Sequence, residues 1–260
     1  MSSDIQLAED GAVATITLNR PDDQNRLMLE HLEELGDIAD QLASADHIHA
    51  VIVTGAAEAF FSAGLLNPDI RGALDKEDVL KIVFKANEVY DAFEALPQIT
   101  IAAINGVILA GAVELALCCD IRLAADHISM MMPEAKWGGF PGAGGPVRLP
   151  GLVGHGRAME LIATGRQVDV TEMNAIGFIE HIYPAGKLQA EAMALAETIA
   201  SNGPLATRGA KRIAKTRHQD GIEAARALSD QLRRELEFSE DVDEGIASHR
   251  ENRTPVFKGR

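Results

Sequence analysis

Glu114 and Glu134 are the two residues of this 260-residue chain best suited to moving a proton. Each stands among apolar neighbours, in Ala112-Val113-Glu114-Leu115-Ala116-Leu117 and in Met130-Met131-Met132-Pro133-Glu134-Ala135. A carboxylate taken out of water into such surroundings is costly to keep ionised. Burial lifts its pKa towards the range useful for general acid and base work. Taken singly, each has an ordinary explanation. Glu114 fits a solvated surface position, and Glu134 fits a negative charge at a helix start after Pro133. As two carboxyls near glycine-rich segments they form a candidate acid/base pair.

The chemistry such a pair serves depends on what holds the substrate, and two segments carry glycine between a strand and a helix. They are Phe61-Ser62-Ala63-Gly64-Leu65 and Asn105-Gly106-Val107-Ile108-Leu109-Ala110-Gly111-Ala112. Glycine permits unusual dihedrals and close approach of a ligand, and a turn opening into a helix leaves N–H groups without partners. One N–H from each segment aimed at one oxygen would make an oxyanion hole. The same glycines also suit plain strand-to-helix turns.

Other chemistry-bearing residues form no comparable set. His47-Ile48-His49 has no third ligand at metal spacing and reads as a polar lead-in to a strand. Cys118 and Cys119 are neighbours, which disfavours a disulfide, and they read as reduced, packed thiols. Gly142-Ala143-Gly144-Gly145 lacks the Gly-Lys-Ser/Thr ending of a phosphate loop. There is no Gly-x-Ser-x-Gly nucleophile elbow. Met130 to Met132 read as core or pocket lining.

The elements that must position these residues follow from hydropathy. Residues 11–18 alternate as a strand and end in the turn chemistry of Asn19-Arg20-Pro21-Asp22-Asp23. Leu27, Leu32, Leu35, Ile38 and Leu42 have helical spacing. Residues 50–55 form a buried strand, residues 59–64 a loop, and a mostly polar stretch runs to about residue 76. A helix spans 78–95 and stops at Leu96-Pro97, and a second buried strand spans 99–104. A helix at 111–118 leads into a strand around 120–125. From residue 186 the pattern is helical, with Pro204 at a helix start and Gly221 at a break. Alternating strands and helices predict an α/β fold with parallel pairing. One domain is expected, with a helical C-terminal part centred on 203–250.

Hydrophobic residues make up 47% and charged residues 24%, ordinary for a soluble enzyme, and the formal net charge is −15. That charge disfavours a general nucleic-acid role. The N-terminus lacks the basic and apolar regions of a signal peptide, and the apolar run 99–117 is broken by Asn105, Gly106, Gly111 and Glu114. The expectation is a cytoplasmic protein with no membrane partner.

These segments together resemble the enoyl-coenzyme A hydratase/isomerase, or crotonase, family. The resemblance runs from Leu18-Asn19-Arg20-Pro21 through Val51–Gly55, Ala59–Gly64, Ile101–Gly106 and Gly111–Ala116 to Cys119-Asp120. It continues through Pro133-Glu134, Phe140–Gly145, Arg148-Leu149 and Gly154 to Arg253–Lys258. It implies a ClpP/crotonase-like spiral of ββα units over residues 1–200. Residues 201–260 would form a helical region for oligomerisation and active-site closure, giving a homotrimer or a dimer of trimers. It implies that the N–H groups of Leu65 and Gly111 hold a thioester carbonyl oxygen, and that Glu114 and Glu134 are the catalytic pair. Arg26, Ala63, Gly64, Leu66, Gly142 and Lys258 are the implied substrate and coenzyme A contacts, Lys258 towards a neighbouring subunit. No metal and no separate cofactor are implied, since coenzyme A is part of the substrate.

Retention of both glutamates favours reversible addition of water to a 2-enoyl thioester, giving a 3-hydroxyacyl thioester. An isomerase, a specialised dehydratase of the same family and a non-catalytic thioester-binding scaffold are the alternatives. The chain departs from the family pattern at Leu65-Leu66-Asn67, where a small residue and aspartate are common, and at Ala110-Gly111-Ala112, where three glycines are common. Asp23 and Gln24 replace basic residues before Asn25. Bulk at Leu65 narrows the acyl pocket.

Overall fold

The computed structural model describes residues 3–260. The chain opens with a hairpin, β1 (Ile5–Asp10) and β2 (Val13–Leu18), followed by α1 (Leu29–Ala43). The next unit is β3 (Ala50–Gly55), β4 (Phe60–Ser62), α2 (Pro68–Ala73) and α3 (Lys76–Ala95). It is succeeded by β5 (Ile99–Ile104), β6 (Val107–Leu109) and α4 (Gly111–Leu117). Then come β7 (Ile121–Ala125), β8 (Ser129–Met131), a 3₁₀ turn at Pro133–Trp137, α5 (Gly145–Val153) and α6 (His155–Thr164). The remainder is β9 (Gln167–Asp169), α7 (Val170–Ala175), β10 (His181–Tyr183), α8 (Leu188–Ala200), α9 (Pro204–Gln219), α10 (Ile222–Glu237) and α11 (Glu240–Glu251).

Each of three successive units sends its first strand to one sheet and its second to another. The larger sheet has the order β1-β2-β3-β5-β7-β10 and the smaller β4-β6-β8-β9. This is the spiral of ββα repeats expected of a crotonase fold. Pairing is parallel from β2 through β10 in the larger sheet and from β4 to β8 in the smaller. A central parallel strand is covered on both faces, and β3 is buried at all six positions, which explains its unbroken apolar sequence. The α1 stripe of Leu32, Leu35, Ile38 and Leu42 packs into the core beside α3. Asp75 caps α3 by accepting from the Asp78 N–H at 2.8 Å.

The strand expected at 11–18 is present, together with a partner, β1, whose polar edge face hid it. The segment 59–64 is not only loop. It contains β4, and the polar stretch after it contains α2, capped by Asn67 accepting from the Ile70 N–H at 2.9 Å. His47 approaches Glu9 at 3.1 Å and His49 faces the Ala200 carbonyl at 3.1 Å. Cys118 and Cys119 are buried, free thiols, and burial pushes the Cys119 thiol up to about 12. Among the described residues there is no cluster of metal-ligating side chains. No helix among them is long and apolar enough to cross a membrane.

The helices α9 and α10 bury only Pro204 and Ala225 respectively. Their apolar sides, with Leu205, Ile213, Leu232 and Leu236, line an open groove of about 440 Å³. A second groove, of about 450 Å³, lies between α9 and α11 around Val242, Ile246 and Phe257. These are larger than the cavity beside the glutamates, yet neither is lined by a carboxyl pair.

Candidate active site

The site is assembled from two parallel crossings. Pairing of β4 with β6 sets Phe60 beside Val107 and Ser62 beside Ile108, so the chain leaving β4 runs alongside the chain leaving β6. Gly64 has φ +78°, and a Cβ there would lie 2.5 Å from the Leu109 oxygen and 2.8 Å from the Gly111 nitrogen. Only glycine permits that approach. The loop is tied upstream: Ala63 N–H donates to the Gln24 carbonyl at 2.9 Å, and Leu27 N–H donates to the Gly64 carbonyl at 2.9 Å. Gly64 N–H donates to Ser62 Oγ at 3.0 Å. The Leu65 N–H has no acceptor among the described residues.

The second crossing ends in the first turn of α4. Ala110 N–H donates to the Met131 carbonyl at 2.9 Å, and Ala110 itself has φ +50°, ψ −125°. This backbone region is unfavourable for a residue with a Cβ. Gly111 follows, its carbonyl accepting from the buried Tyr90 hydroxyl at 3.0 Å. Its N–H, at a helix start, also lacks an acceptor among the described residues. A Cβ on Gly111 would lie 2.5 Å from Leu65 Cγ and 3.4 Å from the Leu65 nitrogen. Two unpartnered N–H groups therefore stand on residues in direct contact.

Glu114 lies one turn along α4 from Gly111, on the same face. The pairing of Leu109 with Met131 brings the 3₁₀ turn that carries Glu134 against α4. Glu114 is 1% exposed, and its Oε1 accepts from the Gly145 N–H at 2.7 Å. Burial pushes its carboxyl up to about 8, opposed by the Gly145 and Ala143 N–H groups and by Arg148, and reinforced by Glu134. Arg148 is held by Glu94 at 2.7 Å and by Asp91. Burial pushes Glu134 up to about 7, opposed by its own backbone N–H. Its Oε2 is buried and has no hydrogen-bond partner. Near neutral pH the pair thus holds close to one proton between two carboxyls, so one can accept while the other donates.

Both glutamates line one cavity of about 60 Å³ with Leu65, Leu66, Ala110, Gly111, Gly142 and Ala143. Sequence reasoning pointed to all of these except Ala143 and Ala110 as site residues, and the structure brings them together. It also adds Arg71, Val83, Trp137 and Phe140. The exposed Trp137 and Phe140 were legible as apolar residues in a glycine-rich stretch, whereas nothing in the sequence singled out Arg71 or Val83. Ala63 and Gly64 support the loop without lining the cavity. Arg26 differs from expectation. It is 6% exposed, its guanidinium donates to the Ala63 carbonyl at 3.4 Å and approaches Asp23 at 3.7 Å, so it braces the loop from behind. Lys258 is away from the cavity of its own chain, 3.4 Å from Glu240, with its backbone N–H donating to Asp241 at 2.7 Å. The Gly142-Ala143-Gly144-Gly145 segment holds the Glu114 carboxyl through the Gly145 N–H and is no phosphate loop.

An α/β scaffold that sets a buried carboxyl pair beside two free backbone donors has the groups that acid/base chemistry on a carbonyl compound needs. Residues 8–260 match the model of the enoyl-CoA hydratase/isomerase family, and the chain belongs to that family. It is 38% identical to YngF of Bacillus subtilis over 248 residues, 95% of each chain. It is 32% identical to the short-chain-enoyl-CoA hydratase of Clostridium acetobutylicum over 259 residues, 99% of each. The crystal structure of an enoyl-CoA hydratase from Bacillus anthracis superposes with a TM-score of 0.96 at 38% identity, covering 99% of this chain and 100% of that one.

Proposed function

We propose that this enzyme hydrates 2-enoyl-CoA thioesters reversibly to 3-hydroxyacyl-CoA. The observation that carries the reading is the pair of buried carboxyls, with pKa values raised to about 8 and about 7, in one cavity with the free N–H groups of Leu65 and Gly111. The thioester carbonyl accepts from these two N–H groups. As water oxygen bonds to C3, the C2–C3 π electrons move towards the thioester and charge builds on that oxygen, where the donors are worth most. Glu114 and Glu134 orient the water. One takes a proton from it as the O–H bond breaks, and the other delivers a proton to C2. Two titrating carboxyls favour hydration over isomerisation, which needs only one.

Coenzyme A arrives as part of the substrate, and no resident cofactor or metal has a role in this scheme. The uncovered apolar faces of α9, α10 and α11 suit burial between copies of the chain, as a trimer or a dimer of trimers, with residues 201–260 closing the site. Lys258, on the exposed tail, would then reach coenzyme A in a neighbouring subunit.

The test is loss of the conjugated-enoyl absorbance of crotonyl-CoA, with the product identified by mass, in wild type, Glu114→Gln and Glu134→Gln. Each variant is expected to lose turnover by about a hundredfold or more while still binding thioester. Near-normal turnover in both variants would remove the pair from the chemistry.

A further inference from the structure

Arg71 is the only cation among the residues that line the catalytic cavity. It has no ion pair and no side-chain hydrogen bond among the described residues, although the chain carries 39 acidic side chains. Its Nη1 lies 3.6 Å from where a Cβ on Gly139 would stand, so the guanidinium reaches from α2 to the glycine-rich stretch on the opposite wall. The remaining lining, apart from the glutamates, is apolar: Leu65, Leu66, Val83, Trp137 and Phe140.

The charge is not there for the glutamates. The cation that lowers Glu114 is Arg148, and burial and its own backbone N–H account for Glu134. Nor does α2 call for it, since a helix of six residues offers a cation at its end only a weak dipole. Arg71 stands exposed at the rim of the cavity, where it can meet an anion carried by what enters. Arg71 and the two free N–H donors border one space of about 60 Å³, so that anion lies a few bonds from the thioester carbonyl. The phosphates of coenzyme A, at the far end of the pantetheine arm, are too remote.

Resting on the hydratase reading, we propose that Arg71 is a specificity residue that receives a carboxylate at the end of a short acyl chain. The preferred substrates are then enoyl-CoA half-thioesters of short dicarboxylic acids. A planar guanidinium takes a carboxylate through two parallel N–H bonds, here at a part-exposed rim bordered by Trp137 and Phe140.

Binding of unreactive saturated thioesters isolates this step. Adipyl-CoA and hexanoyl-CoA share a chain length and differ in the terminal carboxylate. By calorimetry, wild type is expected to bind adipyl-CoA about fivefold more tightly, the scale of a part-exposed ion pair. Arg71→Gln should abolish that ratio and Arg71→Lys should restore part of it. No preference in wild type, or an equal weakening of both ligands in Arg71→Gln, would overturn the proposal. Equal weakening that disappears with hexanoyl-pantetheine would assign Arg71 to the phosphates instead. Crotonyl-CoA hydration by wild type, measured alongside, reports separately on the hydratase reading.

Discussion

Replacing Glu114 by glutamine should stabilise the fold, and by more as the pH rises. Glutamine keeps an oxygen to accept the Gly145 N–H but has no proton to lose. The carboxyl moves from 4.5 to about 8 on folding, which amounts to about 5 kcal/mol between its two protonation states. Below pH 4.5 both folded and unfolded chains hold this proton, so it makes no difference to stability. Between 4.5 and 8 the unfolded chain releases it while the folded chain retains it, so stability falls as pH rises. Above 8 both are ionised and the burial penalty is constant. The native residue therefore costs about 3 kcal/mol at pH 7 and about 5 kcal/mol by pH 9, relative to acid. Urea unfolding of wild type and Glu114→Gln at pH 5, 7 and 9 reads the difference directly, provided the denaturant slope is the same for both. The gap between the two midpoints should widen with each step in pH. A gap that stays flat or narrows would show that Glu114 is not held protonated by burial, and the acid/base argument would fall with it.

The pH profile of kcat/KM for crotonyl-CoA should be bell-shaped, with limbs near 7 and 8 that belong to the glutamate pair as a unit. Activity falls on the acid side as both carboxyls protonate and on the alkaline side as both ionise, and a flat profile across this range would contradict the coupling. Tyr90→Phe removes the hydroxyl that pins the Gly111 carbonyl. It should lower kcat about three- to tenfold with little change in KM, as expected for a donor pair slightly out of line. Ala110→Gly relieves a positive-φ alanine and should raise stability by about 1 kcal/mol. A thermal melt should register that as a rise of about 2–4 °C.

The parts of the fold that announced themselves were those with enough length to show a period. β3 and β5 are six-residue apolar runs, and α1, α3 and α8 to α11 repeat over several turns. Strands β4, β6 and β8 have three residues each, too few for alternation to be seen, and yet their pairing creates the site. Glu114 and Glu134 were legible as carboxyls in apolar company, because that is a local property of sequence. Their meeting was not, since it depends on Leu109 lying beside Met131 in a sheet. Arg26 illustrates the opposite failure. Expected as a ligand contact, it turns its side chain inward to a backbone carbonyl, and no local pattern distinguishes inward from outward for an arginine. Asn67-Pro68 did carry the signature of a helix start, so α2 was within reach, although nothing marked Arg71 within it.

Gln24 and Asn25 both adopt left-handed backbone conformations, and Asn25 is locked by its side chain. Its amide donates to the Ala56 and Phe60 carbonyls at 2.9 and 2.8 Å and accepts from the Arg20 N–H at 2.9 Å. This bend is the template on which Ala63 and Gly64 are laid, so the aim of the Leu65 N–H is calibrated by residues some forty positions upstream that do not line the catalytic cavity. Variants at Asn25 would thus look like silent folding defects on inspection of the cavity, while their signature would be chemical: intact carboxyls, normal thioester capture and a misdirected donor. In this enzyme, then, tracing lost activity to its origin requires following the backbone bonds behind the site as closely as the side chains within it.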